Sequence, residues 1–178
     1  MDEDGFFPRA AVTIIGLGLM GGSLALALKN RSNKIIGYDS DKFTLDEAEK
    51  TGIFSFLTGD PAAALANTDC IILAAPVFGI LEWLEQLPVL CPGSAVVIDL
   101  GSTKEHIVRA MNRLPKRFES VGGHPMCGKE KSGILNADAC LFSGATFAFV
   151  QTATSTPRSI HVAEELASLL GSQPLWID

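Results

Sequence analysis

The sequence predicts an α/β fold, a doubly wound and mainly parallel sheet with helices on both faces. Three observations carry that expectation. Short apolar, β-branched runs alternate along the chain with stretches of helical pattern. The runs are apolar throughout rather than at every second residue, as strands covered on both faces require. A glycine-rich turn, Gly16-Leu17-Gly18-Leu19-Met20-Gly21, follows the first run and opens the first helical stretch. A strand, such a turn and a helix in that order make the expected fold Rossmann-type.

The elements follow in order. Residues 1 to about 9 read as a tail. Ala11–Ile15 reads as a strand, Met20–Lys29 as a helix and Lys34–Tyr38 as the second strand. Thr44–Lys50 is a short helix in which Thr44 and Glu47 have capping-box spacing. Residues 53–57 suit a short third strand and Pro61–Ala66 one or two helical turns. Cys70–Ala74 is a continuous apolar strand ended by Pro76, and Val77–Leu87 is helical. Ala95–Leu100 is a strand and Thr103–Leu114 a helix, with Ser102 and Glu105 spaced as its capping box. Glu119–Val121 and Thr146–Val150 are later strands. Pro157–Leu170 is a helix with proline in its first turn and Gly171 beyond its end, and Leu175–Ile177 begins a last strand. No repeat, low-complexity stretch or interdomain linker interrupts this pattern, so residues 1–178 read as one domain. The chain stops directly after a strand, which suggests a piece of a longer protein.

Composition narrows the class of function. The 178 residues are 47% hydrophobic and 19% charged, a globular balance, and the formal net charge is −6. An acidic chain is a poor partner for nucleic acid, whose phosphates recruit basic surfaces. No apolar run reaches membrane-spanning length. Met1 is followed by Asp2, Glu3 and Asp4, the wrong charge for a secretory leader. The four cysteines, at 70, 91, 127 and 140, lack the paired spacing of zinc or dithiol motifs. A reducing cytoplasm with four free thiols is the expected setting.

The glycine turn carries the first site. Gly16 permits the tight turn, Gly18 lets the backbone approach a pyrophosphate, and Gly21 lets helix and strand pack closely. The helix start, with Leu17, Leu19 and Met20 around it, offers free N–H groups to phosphates. Asp39, at the end of the next strand, can accept hydrogen bonds from ribose hydroxyls and would repel a 2′-phosphate. NAD is therefore the expected cofactor, with NADP as the alternative that nearby Lys42 supports. Ala75, Pro76 and Val77 end a long strand where this fold places ligands, and they are expected to line the same crevice.

Two further strand ends carry polar residues. Ser102 lies in Asp99-Leu100-Gly101-Ser102-Thr103-Lys104-Glu105. It reads as a helix cap whose hydroxyl can still donate a proton to a substrate or a histidine. His124 lies in Gly122-Gly123-His124-Pro125-Met126-Cys127-Gly128. His106 and His161 fall inside predicted helices and suit a solvated surface. An imidazole at a strand's carboxyl end suits proton removal from an alcohol near neutral pH. A structural role for His124 stands beside that catalytic one.

These motifs, in this order, carry a family resemblance. Ile15–Ser23, Asp99–Lys104, Gly123–Gly128, Glu130-Lys131-Ser132-Gly133 and Leu141-Phe142-Ser143-Gly144 resemble prephenate/arogenate dehydrogenase of tyrosine biosynthesis. The resemblance covers nearly the whole chain, and its most specific part is the histidine segment with the Glu130 segment after it. It implies oxidative decarboxylation of prephenate or arogenate, with hydride passing to the cofactor and aromatisation drawing the reaction forward. It implies that His124 takes the ring hydroxyl's proton and that Ser102 orients histidine and substrate. Glu130 falls near the position that meets the substrate's side chain. Lys129 stands where the family often has threonine or serine. The resemblance also implies a second, all-helical domain with a carboxylate-binding arginine and a homodimer interface. This chain lacks it and is expected to bind cofactor but turn over poorly. Two other readings are a domain of a 3-hydroxyacid-type dehydrogenase and a non-catalytic sensor of the NAD/NADH ratio.

Overall fold

The computed structural model describes residues 5–177. Its first half contains β1 (Ala11–Ile15), α1 (Leu19–Leu28), β2 (Lys34–Tyr38), α2 (Lys42–Lys50), β3 (Phe56–Thr58), α3 (Pro61–Leu65) and β4 (Cys70–Leu73). Then come α4 (Val77–Leu90), β5 (Ala95–Asp99), α5 (Glu105–Met111), β6 (Phe118–Pro125), a 3-10 turn at Ile134–Asn136, β7 (Thr146–Gln151), α6 (Pro157–Leu169) and β8 (Gln173–Ile177). One eight-stranded sheet has the order β3-β2-β1-β4-β5-β6-β7-β8. Among the described residues only β6 and β7 pair antiparallel.

Both sheet faces are dry. Val12 and Ile14 of β1 and Ile72 of β4 pack with Leu24, Leu28, Val162 and Leu166 of α1 and α6. Ile15, Ile71 and Leu73 point the other way, onto Leu84, Leu87, Ile107 and Met111 of α4 and α5. Successive strand side chains alternate between faces, so two covered faces demand an unbroken apolar run. The strand order reverses between β1 and β4, and the carboxyl ends of those strands open a crevice there.

Several elements differ from expectation. Residues 5–9 are packed, not a tail: Phe7 is fully buried, and the N–H groups of Phe6 and Phe7 donate to Glu165 of α6 at 2.8 and 3.1 Å. Residues 1–4 of the expected tail lie outside the described residues. α2 starts two residues early because Asp41, not Thr44, caps it. The Asp41 carboxylate accepts from Thr44 N–H at 3.0 Å, and Glu47 pairs with Lys50 instead. β3 sits later than expected, since Ile53 and Phe54 pack against the core beside Gly37. α4 runs on through Pro88 to Leu90. β6 continues through Gly122 and Gly123 to Pro125, paired with β7 along that length. Two glycines read locally as a break, but the antiparallel ladder holds them extended.

All four cysteines are free thiols, with Cys70 and Cys91 buried, Cys127 half-buried and Cys140 exposed. Burial pushes the Cys70 thiol up to about 12. A thiol reagent is expected to label Cys140 first and Cys70 only on unfolding; early labelling of Cys70 contradicts its place in the core. Phe7→Ala is expected to cost about 3–5 kcal/mol in urea unfolding, as for other fully buried phenylalanines. An unchanged midpoint would return residues 5–9 to the status of a tail.

Candidate functional site

The crevice is built on close backbone approach. Gly16 leaves β1 at φ +91°, and its N–H donates to Tyr38 C=O at 2.9 Å. A Cβ on Gly16 would lie 2.9 Å from the Ala74 carbonyl oxygen. A Cβ on Gly21 would lie 1.9 Å from the Gly16 carbonyl oxygen, so α1 can rest on the turn only with glycine there. Gly18, at the N-cap of α1, is different: a Cβ there meets nothing within 4 Å and has no cap bond to replace. It faces open space at the helix start, where Leu19 and Met20 bring N–H groups with no intrahelical acceptor. Leu17 is buried and anchors the turn.

Asp39 joins the two strand ends. One carboxylate oxygen accepts from Leu17 N–H at 2.8 Å and the other from Asp41 N–H at 2.9 Å. A carboxylate has about four acceptor sites, so capacity remains for two ribose hydroxyls. A cleft of about 490 Å³ opens here, with Gly18, Asp39, Ala75, Pro76 and Trp83 among its walls. Val77 begins α4 and packs toward the core under α4 and α5 instead of lining the cleft as expected. Lys42 stands exposed at the start of α2. Sequence reasoning missed the aromatic wall: the rings of Tyr38 and Trp83 meet edge to face at 4.8 Å. Trp83 lies within a helix, and only the packing of α4 brings it to the end of β2.

His124 is the penultimate residue of β6, half-buried, and its Nδ1 is buried without a hydrogen-bond partner among the described residues. Ser102 is exposed in the segment after β5, the neighbouring strand. It is not a helix cap. α5 begins at Glu105 with Lys104 in the cap position and no side-chain cap bond, while Glu105 pairs with Arg109 at 2.8 Å. Among the described residues, no hydrogen bond joins Ser102 to His124. His106 and His161 are exposed on helices, as expected.

Lys129 and Glu130 lie exposed on the loop after β6. The Lys129 ammonium donates to Asp138 at 2.7 Å and, with Cys140 N–H, holds that carboxyl below its usual range. The same loop seats on the glycine-turn helix. Asp138 N–H donates to Ser23 Oγ at 2.9 Å, and a Cβ on Gly22 would lie 3.0 Å from Ala137 Cβ.

The Gly123 backbone, next to His124, rests on a fully buried carboxylate, Asp99, to which the sequence pattern assigns no role. It accepts from Gly101 N–H at 2.9 Å and Gly123 N–H at 3.0 Å, and it is ion-paired with Lys104. Lys104 also donates to Gly123 C=O at 2.5 Å. Burial pushes the Asp99 carboxyl up and the Lys104 amine down, and the attraction between them opposes both shifts.

A glycine turn at the reversal of a parallel sheet, an acid at the end of β2 and a histidine at a neighbouring strand end define a dinucleotide-binding domain of the dehydrogenase class. Comparison with known proteins narrows it. The chain belongs to the family described as prephenate dehydrogenase, nucleotide-binding domain, which matches residues 24–174. It is 34% identical over 171 residues to the prephenate dehydrogenase of Bacillus subtilis, covering 91% of this chain and 44% of that protein. The prephenate dehydrogenase of A. aeolicus, solved with hydroxyphenyl propionate and NAD+, superposes with a TM-score of 0.85 at 29% identity, covering 94% of this chain and 59% of that one. The arogenate dehydrogenase of Synechocystis superposes with a TM-score of 0.82 at 25% identity, again over 94% and 59%. The chain thus spans less than half the length of the Bacillus relative. These likenesses do not favour the 3-hydroxyacid or sensor readings.

The glycines make different predictions. Gly18→Ala is expected to leave unfolding free energy within about 0.5 kcal/mol of the parent. It is expected to weaken NAD binding by about tenfold or more, a loss of about 1.4 kcal/mol or more. Gly21→Ala is expected to lower stability as well as binding. Equal stability loss in both variants would mean that Gly18 serves the fold rather than the ligand.

Proposed function

We propose that this chain is the cofactor-binding half of an enzyme that oxidatively decarboxylates prephenate, with arogenate as the close alternative. Membership of the family supports this reading. The observation within the chain that carries it is His124, an imidazole with an unpaired buried Nδ1 at the carboxyl end of β6. A buried polar atom without a partner is costly and marks a place where function outweighs stability.

The residues fit NAD. Gly16, Gly18 and Gly21 with the amides of Leu17, Leu19 and Met20 would hold the pyrophosphate, Asp39 the adenosine ribose, and Ala75 and Pro76 the crevice wall. The bound nicotinamide supplies the hydride acceptor. In this reading His124 removes the proton of the substrate's ring hydroxyl as the C–H hydride departs. The carbinol carbon becomes a carbonyl; carbon dioxide then leaves from the opposite ring carbon, and the electron pair of the broken bond passes through the ring to the carbonyl oxygen, which takes up a proton as the ring becomes an aromatic phenol. Ser102 orients the hydroxyl, while Glu130 and Lys129 stand on the loop nearest the substrate's side chain. A second, helical domain, as the resemblance implies, would add the remaining carboxylate contacts and a homodimer interface. Among the described residues no helix is long and apolar enough to cross a membrane. With the free thiols, this fits a cytoplasmic enzyme.

Calorimetric titration tests the cofactor half: residues 1–178 by themselves are expected to bind NAD, NADP more weakly, and prephenate poorly. NADP binding as tight as NAD would remove Asp39 from its role. In a protein joining this chain to the helical domain that the resemblance implies, His124→Ala is expected to lower kcat by about a hundredfold or more. NAD affinity should stay unchanged. Normal turnover in that variant would sink the proposed base.

A further inference from the structure

The parallel ladder between β5 and β6 stops at the pair Ile98 and Val121. Two residues further on, Gly123 still has an N–H and a C=O to satisfy. The backbone of β5 no longer supplies partners for them. The side chains of Asp99 and Lys104 do: Asp99 Oδ1 accepts from Gly123 N–H at 3.0 Å, and Lys104 Nζ donates to Gly123 C=O at 2.5 Å. The other carboxylate oxygen accepts from Gly101 N–H at 2.9 Å. Gly101 precedes Ser102, and Gly123 precedes His124. One buried ion pair therefore holds the backbone beside both candidate catalytic residues.

The fit is close. A Cβ on Gly123 would lie 2.6 Å from the Asp99 carbonyl oxygen, and one on Gly101 would lie 3.0 Å from Asp99 Oδ2. The His124 ring has no bond at Nδ1 to orient it. Its placement consequently depends on where the backbone leaves Gly123. A buried ion pair is poor stabilisation compared with apolar groups of the same volume. Apolar groups, however, could neither accept from Gly123 N–H nor donate to its carbonyl.

We propose that Asp99 and Lys104 are positioning residues: together they replace the missing stretch of the β5–β6 ladder and so set the placement of His124 and, through Gly101, of Ser102. The importance of that placement for turnover rests on the proposed function. The placement itself is measurable without turnover, so the two can fail separately.

The test uses this chain and the double variant D99N/K104M, which leaves neither charge buried alone. Two readouts report on His124: its imidazole NMR signals and its rate of modification by diethyl pyrocarbonate. His106 and His161, both exposed, serve as internal references. The double variant is expected to fold and to bind NAD as the parent does. Its His124 signals should shift, and His124 should be modified severalfold faster while the reference histidines are unchanged. Lys104→Met alone provides a second route, because a lone buried carboxyl can take up a proton rather than unfold the chain. It is expected to change His124 in the same direction. A folded variant of either kind with His124 signals and modification rate equal to the parent's overturns the proposal. Failure of both variants to fold also overturns it, since the pair would then be serving the fold and not the site.

Discussion

A methyl group at Gly21 would lie 1.9 Å from the carbonyl oxygen of Gly16, and most of the site follows from the contact that its absence permits. With no Cβ in the way, α1 rests on the turn that ends β1. The start of the helix is thereby placed at the reversal of the sheet, between β1 and β4. Gly18, at the start of that helix, lines the cleft. The next two residues of α1 are Gly22 and Ser23, on which the loop after β6 is seated. The glycine turn and the loop bearing Lys129 and Glu130 thus both pack on one helix.

The sheet brings the functional strand ends together, but side chains complete their placement. Asp39 ties the end of β2 to the glycine turn, and Asp99 ties the end of β5 to that of β6. Each carboxylate accepts two backbone N–H groups where the regular ladder gives out. The two differ in setting. Asp39 is half-buried on the cleft and keeps acceptor capacity for a ligand. Asp99 is fully buried and is offset by Lys104. One carboxylate is therefore available for binding, and the other for holding the backbone in place.

Much of this was legible along the chain. Strands covered on both faces tolerate few polar residues, and those only with partners, as Thr13 has in Ala64 C=O and Thr68, so the mainly apolar runs mark β1 and β2 at their true limits. The glycine turn and Asp39 were legible because their spacing is imposed by one strand, one turn and one helix. Capping was misread twice. Thr44 and Ser102 have the right neighbours for a capping box, but Asp41 offers a better acceptor in the first case. In the second, Lys104 is drawn inward to Asp99 and delays the helix to Glu105. Residues 5–9 looked like a tail because Phe6 and Phe7 have no periodic partners nearby in sequence; their partner is Glu165.

The sequence by itself determined the class of sheet, the place of its glycine turn and the choice of Asp39, Ser102 and His124 as candidate residues. These depend on local backbone geometry and on chemistry that individual side chains carry. Only the tertiary structure decided how β6 runs through Gly122 and Gly123, which aromatic rings wall the cleft, and that Asp99 and Lys104 meet at Gly123. Those features depend on where one strand's ladder ends beside another, and on which side chain is close enough to satisfy the backbone groups left over. No pattern within a single segment encodes that distance, because it is set by the packing of the whole sheet.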